Sequence, residues 1–137
     1  MEIPVKIKVK TTIDREETFE LLVFGRFFRK ENAYFLQYDE VMEEGTVKTI
    51  VKLTKEEVLI LRSGAIKMRL PFQLNRKLNG SYQLPFGVFQ TTTLARELDF
   101  SYEKNQGHLH IVYDFEMQDE PAGTYQLEIS FQEEHKK

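Results

Sequence analysis

His108 and His110 stand two residues apart in a run that alternates apolar and polar side chains. On a strand that spacing points both imidazoles the same way, a geometry that can hold one metal ion. Their neighbours Leu109, Ile111, Tyr113 and Phe115 claim the core face, however, which turns both histidines outward beside Asp114. No spacing supplies a third ligand, so no metal site is expected. His135, in the tail QEEHKK, is expected to be solvated. The carboxylate pairs Glu43 with Glu44 and Glu133 with Glu134 fall in a turn and at the terminus, where charge is easily solvated. Nothing places two carboxyls on facing walls of a cleft, as glycoside hydrolysis requires. There is no GxSxG elbow, no phosphate-binding glycine loop and no HExxH motif. The chain reads as a non-enzyme with no cofactor.

Two side chains suit recognition better than reaction. Arg62 follows Val58 and Ile60 on one face of an apolar run, where a guanidinium could orient an anionic group on a small, partly apolar ligand. Tyr38 is the second candidate for that ligand. A plain salt bridge on the wall is the alternative role for Arg62. Lys6, Lys8 and Lys10 form a basic row that could track a nucleic-acid backbone. Against that stand the 19 basic and 22 acidic residues, a net charge of -3, and the common use of lysine to guard a strand. No nucleic-acid partner is expected.

The elements that must position these residues are nearly all strands. Val5, Ile7, Val9, Thr11 and Ile13 occupy one side of a period-two ribbon, and similar ribbons continue to Phe131. Turn signals separate them at Asp14 to Glu17, Arg29 to Asn32, Glu43 to Gly45, Thr54 to Glu57, Ser63 with Gly64, Lys104 to Gly107, and Asp119 to Gly123. Asn79 with Gly80 predicts a tight primed turn. Phe72 to Gly87 breaks the rhythm and could cover a barrel mouth. Leu94, Leu98, Phe100 and Tyr102 are expected to share one face, matched by Leu109, Ile111, Tyr113 and Phe115. Short connections require antiparallel neighbours. We therefore expect an all-β chain, residues 1–137 forming one domain: a single antiparallel up-and-down β-barrel of about nine or ten strands, since closure removes exposed edges.

The segment Glu16 to Lys30 has apolar residues at helical spacing, but Gly25 in its middle favours a long strand. Both faces of that strand are apolar. Leu22, Phe24 and Phe28 on the second face would need cover from a loop, a short helix or another subunit, which makes them candidate partner-interface residues, for a homodimer or a scaffold. The chain contains no cysteine, which excludes disulfides and thiolate sites. It shows no secretory signal and no apolar stretch near the roughly 20 residues of a membrane-spanning helix, so a cytoplasmic setting without membrane insertion is expected.

The stretch Val47 to Phe72 resembles the YwiB-like family of small bacterial β-barrel proteins of uncharacterised function. The resemblance extends over almost the whole chain. It is carried by Tyr38 followed by Glu40, the run Val47 to Lys52, Arg62 with Ser63 and Gly64, Lys67 with Met68, Phe86 with Gly87, and Gly107 followed by Ile111 and Tyr113. Leu84, Pro85 and Phe86 depart from the family pattern. The resemblance implies a lipocalin-like, or calycin-like, barrel in a bacterial cytoplasm, and it brings no activity and no site residues. Two functions compete: binding a small, partly apolar or anionic ligand inside the barrel, or presenting its outer surface to a protein partner. An interior cavity above roughly 300 Å³ with a few convergent polar groups would favour the first.

Overall fold

In the computed structural model, which describes residues 2–134, every regular element is a strand. His135 lies outside the described residues. The strands are β1 (Glu2–Ile13), β2 (Glu17–Lys30), β3 (Ala33–Met42), β4 (Gly45–Leu53), β5 (Val58–Gly64), β6 (Lys67–Phe72), β7 (Lys77–Leu84), β8 (Gly87–Glu103), β9 (Gln106–Met117) and β10 (Glu120–Glu133). Each pairs antiparallel with its neighbours in the chain, and β10 returns to pair with β1, closing a ten-strand up-and-down barrel.

Closure follows from the alternation. Along β1, Val5 and Ile7 are buried in the bore while Lys6 and Lys8 face outward. Lys10 stands directly opposite Glu128 across the closing seam, and Lys8 reaches Glu20 on β2 at 3.6 Å. The basic row is thus part of the solvated wall. Three hairpins turn on two residues that both have positive φ: Asp14 with Arg15, Lys104 with Asn105, and Gln118 with Asp119. That backbone twist matches the twist of the strands it joins.

Several local expectations are corrected. Asn79 and Gly80 form no turn; they lie inside β7, and a Cβ at Gly80 would stand 2.1 Å from the Arg69 carbonyl oxygen. Glycine is needed there because another backbone approaches closely. The turn is made by Pro85 and Phe86 instead. Phe72 to Gly87 does not cover a mouth: it is a short bend followed by a wall strand. Its rhythm breaks because Pro71 offers no N–H, so the β6–β7 ladder ends at Arg69 opposite Ser81. The following residues lean on β8, where Thr93 Oγ1 donates to the Pro71 carbonyl and the Asn75 N–H donates to the Ala95 carbonyl at 2.7 Å. Leu94 does not share a face with Leu98. A bulge between Ala95 and Glu97 shifts the register, so Thr93 and Ala95 are buried before it, and Leu98 packs on the core after it. The last hairpin turns at Gln118 and Asp119, and Pro121 already belongs to β10, beside a second bulge.

The bore is finished differently at its two ends. At the end carrying both described termini, Phe27, Tyr34, Phe100, Tyr102 and Phe131 pack ring against ring, with Phe27 centred 4.7 Å from both Tyr102 and Phe131. The tip of the Phe131 ring lies against Gly107, where a Cβ would fall 2.1 Å from it. The opposite end is open.

Candidate functional site

The open end is formed by the five hairpin turns that follow β1, β3, β5, β7 and β9. Below them the inward side chains leave a cavity of about 540 Å³. Ile60, Leu70, Tyr113 and Ile129 lie deep in it, and Thr11, Phe19, Met68, Tyr82, Met117 and Tyr125 ring its mouth. Aromatic rings are present here too, Tyr113, Phe115 and Tyr125 packing together with centroids 5.4–6.3 Å apart, but the lining as a whole does not fill the bore. Concave depressions also occur on the outer wall, over Lys6, Lys8 and His108 and beside Arg29, Phe35 and Lys52. Those are open to solvent, whereas the interior is walled on all sides by strands.

Both residues expected at a ligand site are in this cavity. Tyr38 on β3 and Arg62 on β5 point inward from either side of Thr49 on β4, in register with it. Sequence reasoning did not assign Glu40 to the site, although it shares the inward face of β3 with Tyr38 two residues away. Arg62 Nη2 meets Glu40 Oε1 at 3.0 Å, with side chains only 22% and 25% exposed. Arg62 is therefore both a cavity residue and a salt-bridge residue. The same guanidinium nitrogen lies 3.9 Å from Met42 Sδ. Thr49 Oγ1 is buried and has no hydrogen-bond partner.

Four phenols line the cavity: Tyr38, Tyr82, Tyr113 and Tyr125. Burial pushes the Tyr38 phenol above its ordinary pKa; Arg62 opposes that rise, Glu40 adds to it, and the nearby Thr49 hydroxyl opposes it slightly without the geometry of a hydrogen bond. Burial raises Tyr113 strongly, with Tyr125 adding to the effect. Tyr125 is raised by burial first and then by the carboxylates of Asp14 and Glu17 at the rim. The net rise keeps Tyr38, Tyr113 and Tyr125 protonated, as hydrogen-bond donors. A polar residue on an otherwise apolar inward face, such as Thr49 between Val47 and Val51, was the sequence signal that could have located this lining.

The other candidates lie elsewhere. His108 and His110 face outward as expected; His108 Nδ1 is 2.9 Å from Ser130 Oγ, and His110 Nε2 is 3.3 Å from Gln126 Nε2. Among the described residues no three His, Asp or Glu side chains gather where they could hold a metal ion. Asp114 is engaged by Arg96 Nε at 2.8 Å and by the Thr124 hydroxyl. The Arg96 hydrogen bond holds its carboxyl below the usual range, against a smaller opposing effect of burial. On the outer face of β2, Leu22 and Phe24 are 60% and 62% exposed. No loop or helix of the described chain covers them. Phe28, further along, is half-buried by stacking on Phe35 at 5.1 Å.

Comparison with known proteins agrees with the architecture. Residues 5–129 match a family described as a domain of unknown function, DUF1934. The chain is 31% identical over 134 residues to the uncharacterized beta-barrel protein YwiB of Bacillus subtilis (strain 168), covering 96% of this chain and 94% of that protein. The crystal structure of the ywiB protein from Bacillus subtilis superimposes with a TM-score of 0.87 at 28% identity, covering 98% of this chain and 94% of that one.

Proposed function

This chain belongs to the DUF1934 family, which carries no assigned activity, and from that premise we propose that it is a non-enzymatic, lipocalin-like binder of a small, partly apolar molecule in the cytoplasm. The observation that carries this reading is the cavity of about 540 Å³ inside the open half of the barrel, with an apolar floor and a few polar groups converging on it. Its size falls within the ordinary range of ligand pockets, about 300–1,000 Å³. A ten-strand barrel has room for one small ligand when its inward side chains do not fill it. Tyr38 and Arg62 are the residues proposed to contact the ligand, with Glu40 added to them.

The test combines native mass spectrometry of the protein purified from cells with displacement of an environment-sensitive naphthyl dye. Met68→Trp, at the mouth, should cut dye binding at least tenfold while leaving the thermal unfolding midpoint nearly unchanged. No co-purified molecule together with no dye uptake would overturn the reading, as would unaltered dye binding by Met68→Trp. A second reading, a protein-interaction scaffold or homodimer, is favoured by one observation, the exposed pair Leu22 and Phe24 on β2. Light scattering across a concentration series separates the two.

A further inference from the structure

We propose that the Glu40–Arg62 pair makes the barrel cavity selective for uncharged aromatic molecules bearing a carbonyl-type hydrogen-bond acceptor, and against their carboxylate counterparts. This deepens the binding reading above and rests on it. The first supporting observation is that the only cation among the described cavity-lining residues is already engaged: Arg62 Nη2 lies 3.0 Å from Glu40 Oε1. An entering carboxylate would have to displace Glu40 or share one guanidinium with it at a site largely removed from water. Two carboxylates about one cation repel, and whichever is displaced loses its partner while still desolvated. This replaces the expectation that Arg62 orients an anionic group.

The second observation is the charge of the entrance. The five turns around it contribute Asp14, Glu16, Glu43, Glu44 and Asp119 against a single base, Arg15. Inside, Asp14 and Glu17 already act on the Tyr125 phenol in the direction that opposes negative charge. An approaching anion therefore meets repulsion before it reaches Arg62.

The third observation concerns what remains for the ligand to bond. Tyr38, Tyr82, Tyr113 and Tyr125 line the cavity with phenols, and the Thr49 hydroxyl is buried there without a partner. Protonated phenols donate to a neutral oxygen acceptor, and their rings present flat apolar faces to an aromatic body. A cation finds Glu40 already paired with Arg62, and Glu20, the other lining carboxylate, paired with Lys8 at 3.6 Å.

The matched probes are 2-acetonaphthone, 2-naphthoate and 2-naphthylmethylammonium, which share an aromatic body and differ in the charge of one substituent. Binding is read by saturation-transfer NMR and by quenching of tyrosine fluorescence, since the chain has no Trp. The ketone should bind the unaltered protein at least tenfold more tightly than the naphthoate, and more tightly than the ammonium. Glu40→Gln releases Arg62 and should improve naphthoate binding about tenfold, erasing most of the ketone's advantage over it. Tyr38→Phe should weaken the ketone several-fold. Naphthoate or ammonium binding as tight as the ketone overturns the selectivity while leaving the cavity a binding site. Failure of all three probes on both the unaltered protein and Glu40→Gln overturns the binding reading and the selectivity together.

Discussion

At the end of the barrel that holds the described termini, Phe27, Tyr34, Tyr102 and Phe131 fill the bore with ring centroids 4.7–6.1 Å apart. At the other end the same ten strands leave about 540 Å³ between Thr49, Tyr82, Met117 and Tyr125. One backbone architecture thus has a half in which side chains complete the core and a half in which they stop short of it. The difference lies in how the rings are arranged: at the filled end rings from β2, β3, β8 and β10 meet in the bore, whereas at the other Tyr113, Phe115 and Tyr125 cluster on the neighbouring strands β9 and β10 and leave space. The filled half packs its bore ring against ring; the hollow half packs its floor into the same core and leaves polar groups beside the space above it.

The sharpest way to break that comparison is to remove the filling. Phe27→Ala deletes a ring that is only 3% exposed and in contact with three other aromatic side chains. Truncations of this kind cost about 3–5 kcal/mol. Gly107→Ala attacks the same plug from the wall, since the added methyl would collide with the Phe131 ring, and overpacking of this sort costs roughly 1–3 kcal/mol. Tyr82→Phe, at the mouth of the hollow half, should stay within about 0.5 kcal/mol. Urea denaturation of the three variants measures all of these; a Phe27→Ala cost no larger than that of Tyr82→Phe would remove the distinction between the halves.

A smaller effect comes from pH and belongs to the hollow half. Tyr38 and Tyr113 have phenol pKa values raised above the ordinary one, by burial first in both cases. In the unfolded chain they titrate near 10, so above that pH the folded state binds more protons than the unfolded state. Their stabilising contribution is fully present below about pH 10 and is lost as the pH climbs toward the folded values, by at most about 1.4 kcal/mol per pH unit for each group. Thermal unfolding midpoints should therefore fall between about pH 10 and 11.5, and Tyr113→Phe should flatten that fall. An unchanged slope in Tyr113→Phe would mean that this phenol ionises as freely in the folded barrel as outside it.

Much of the contrast is legible in the amino-acid sequence. Period-two alternation from Val5 to Phe131 identifies strands, and short turn segments identify antiparallel neighbours, because one residue per pleat decides which face is buried. Arg62 was legible as a cavity residue because it follows Val58 and Ile60 at even spacing. Glu40 was not, since its pairing with Arg62 passes across the intervening β4 and depends on the register of two successive hairpins, which no local pattern encodes. The bulge beyond Ala95 was equally invisible: one extra residue shifts Leu94 off the face of Leu98 without altering composition. Asn79 with Gly80 misled for a related reason. A glycine required by close backbone approach has the same sequence signature as a glycine required by a turn.

β2 carries the smallest version of the contrast, between its own two faces. Phe27 seals the bore on one face, while Leu22 and Phe24 stand in solvent on the other, among Lys8, Glu20 and Arg26. Exposed apolar patches of a few hundred Å² are ordinary on monomers, whereas a standard interface buries about 800 Å² per partner. Two side chains ringed by charges are too few to supply that area unless neighbouring outer strands join them. The double variant Leu22→Ser, Phe24→Ser should therefore change unfolding stability by less than about 0.5 kcal/mol per site. Its midpoint should not depend on protein concentration, nor should that of the unaltered chain. A midpoint that rises with concentration in the unaltered chain and ceases to do so in the double variant would mean that a second copy covers this face. The outer wall would then join the plugged end as a source of stability.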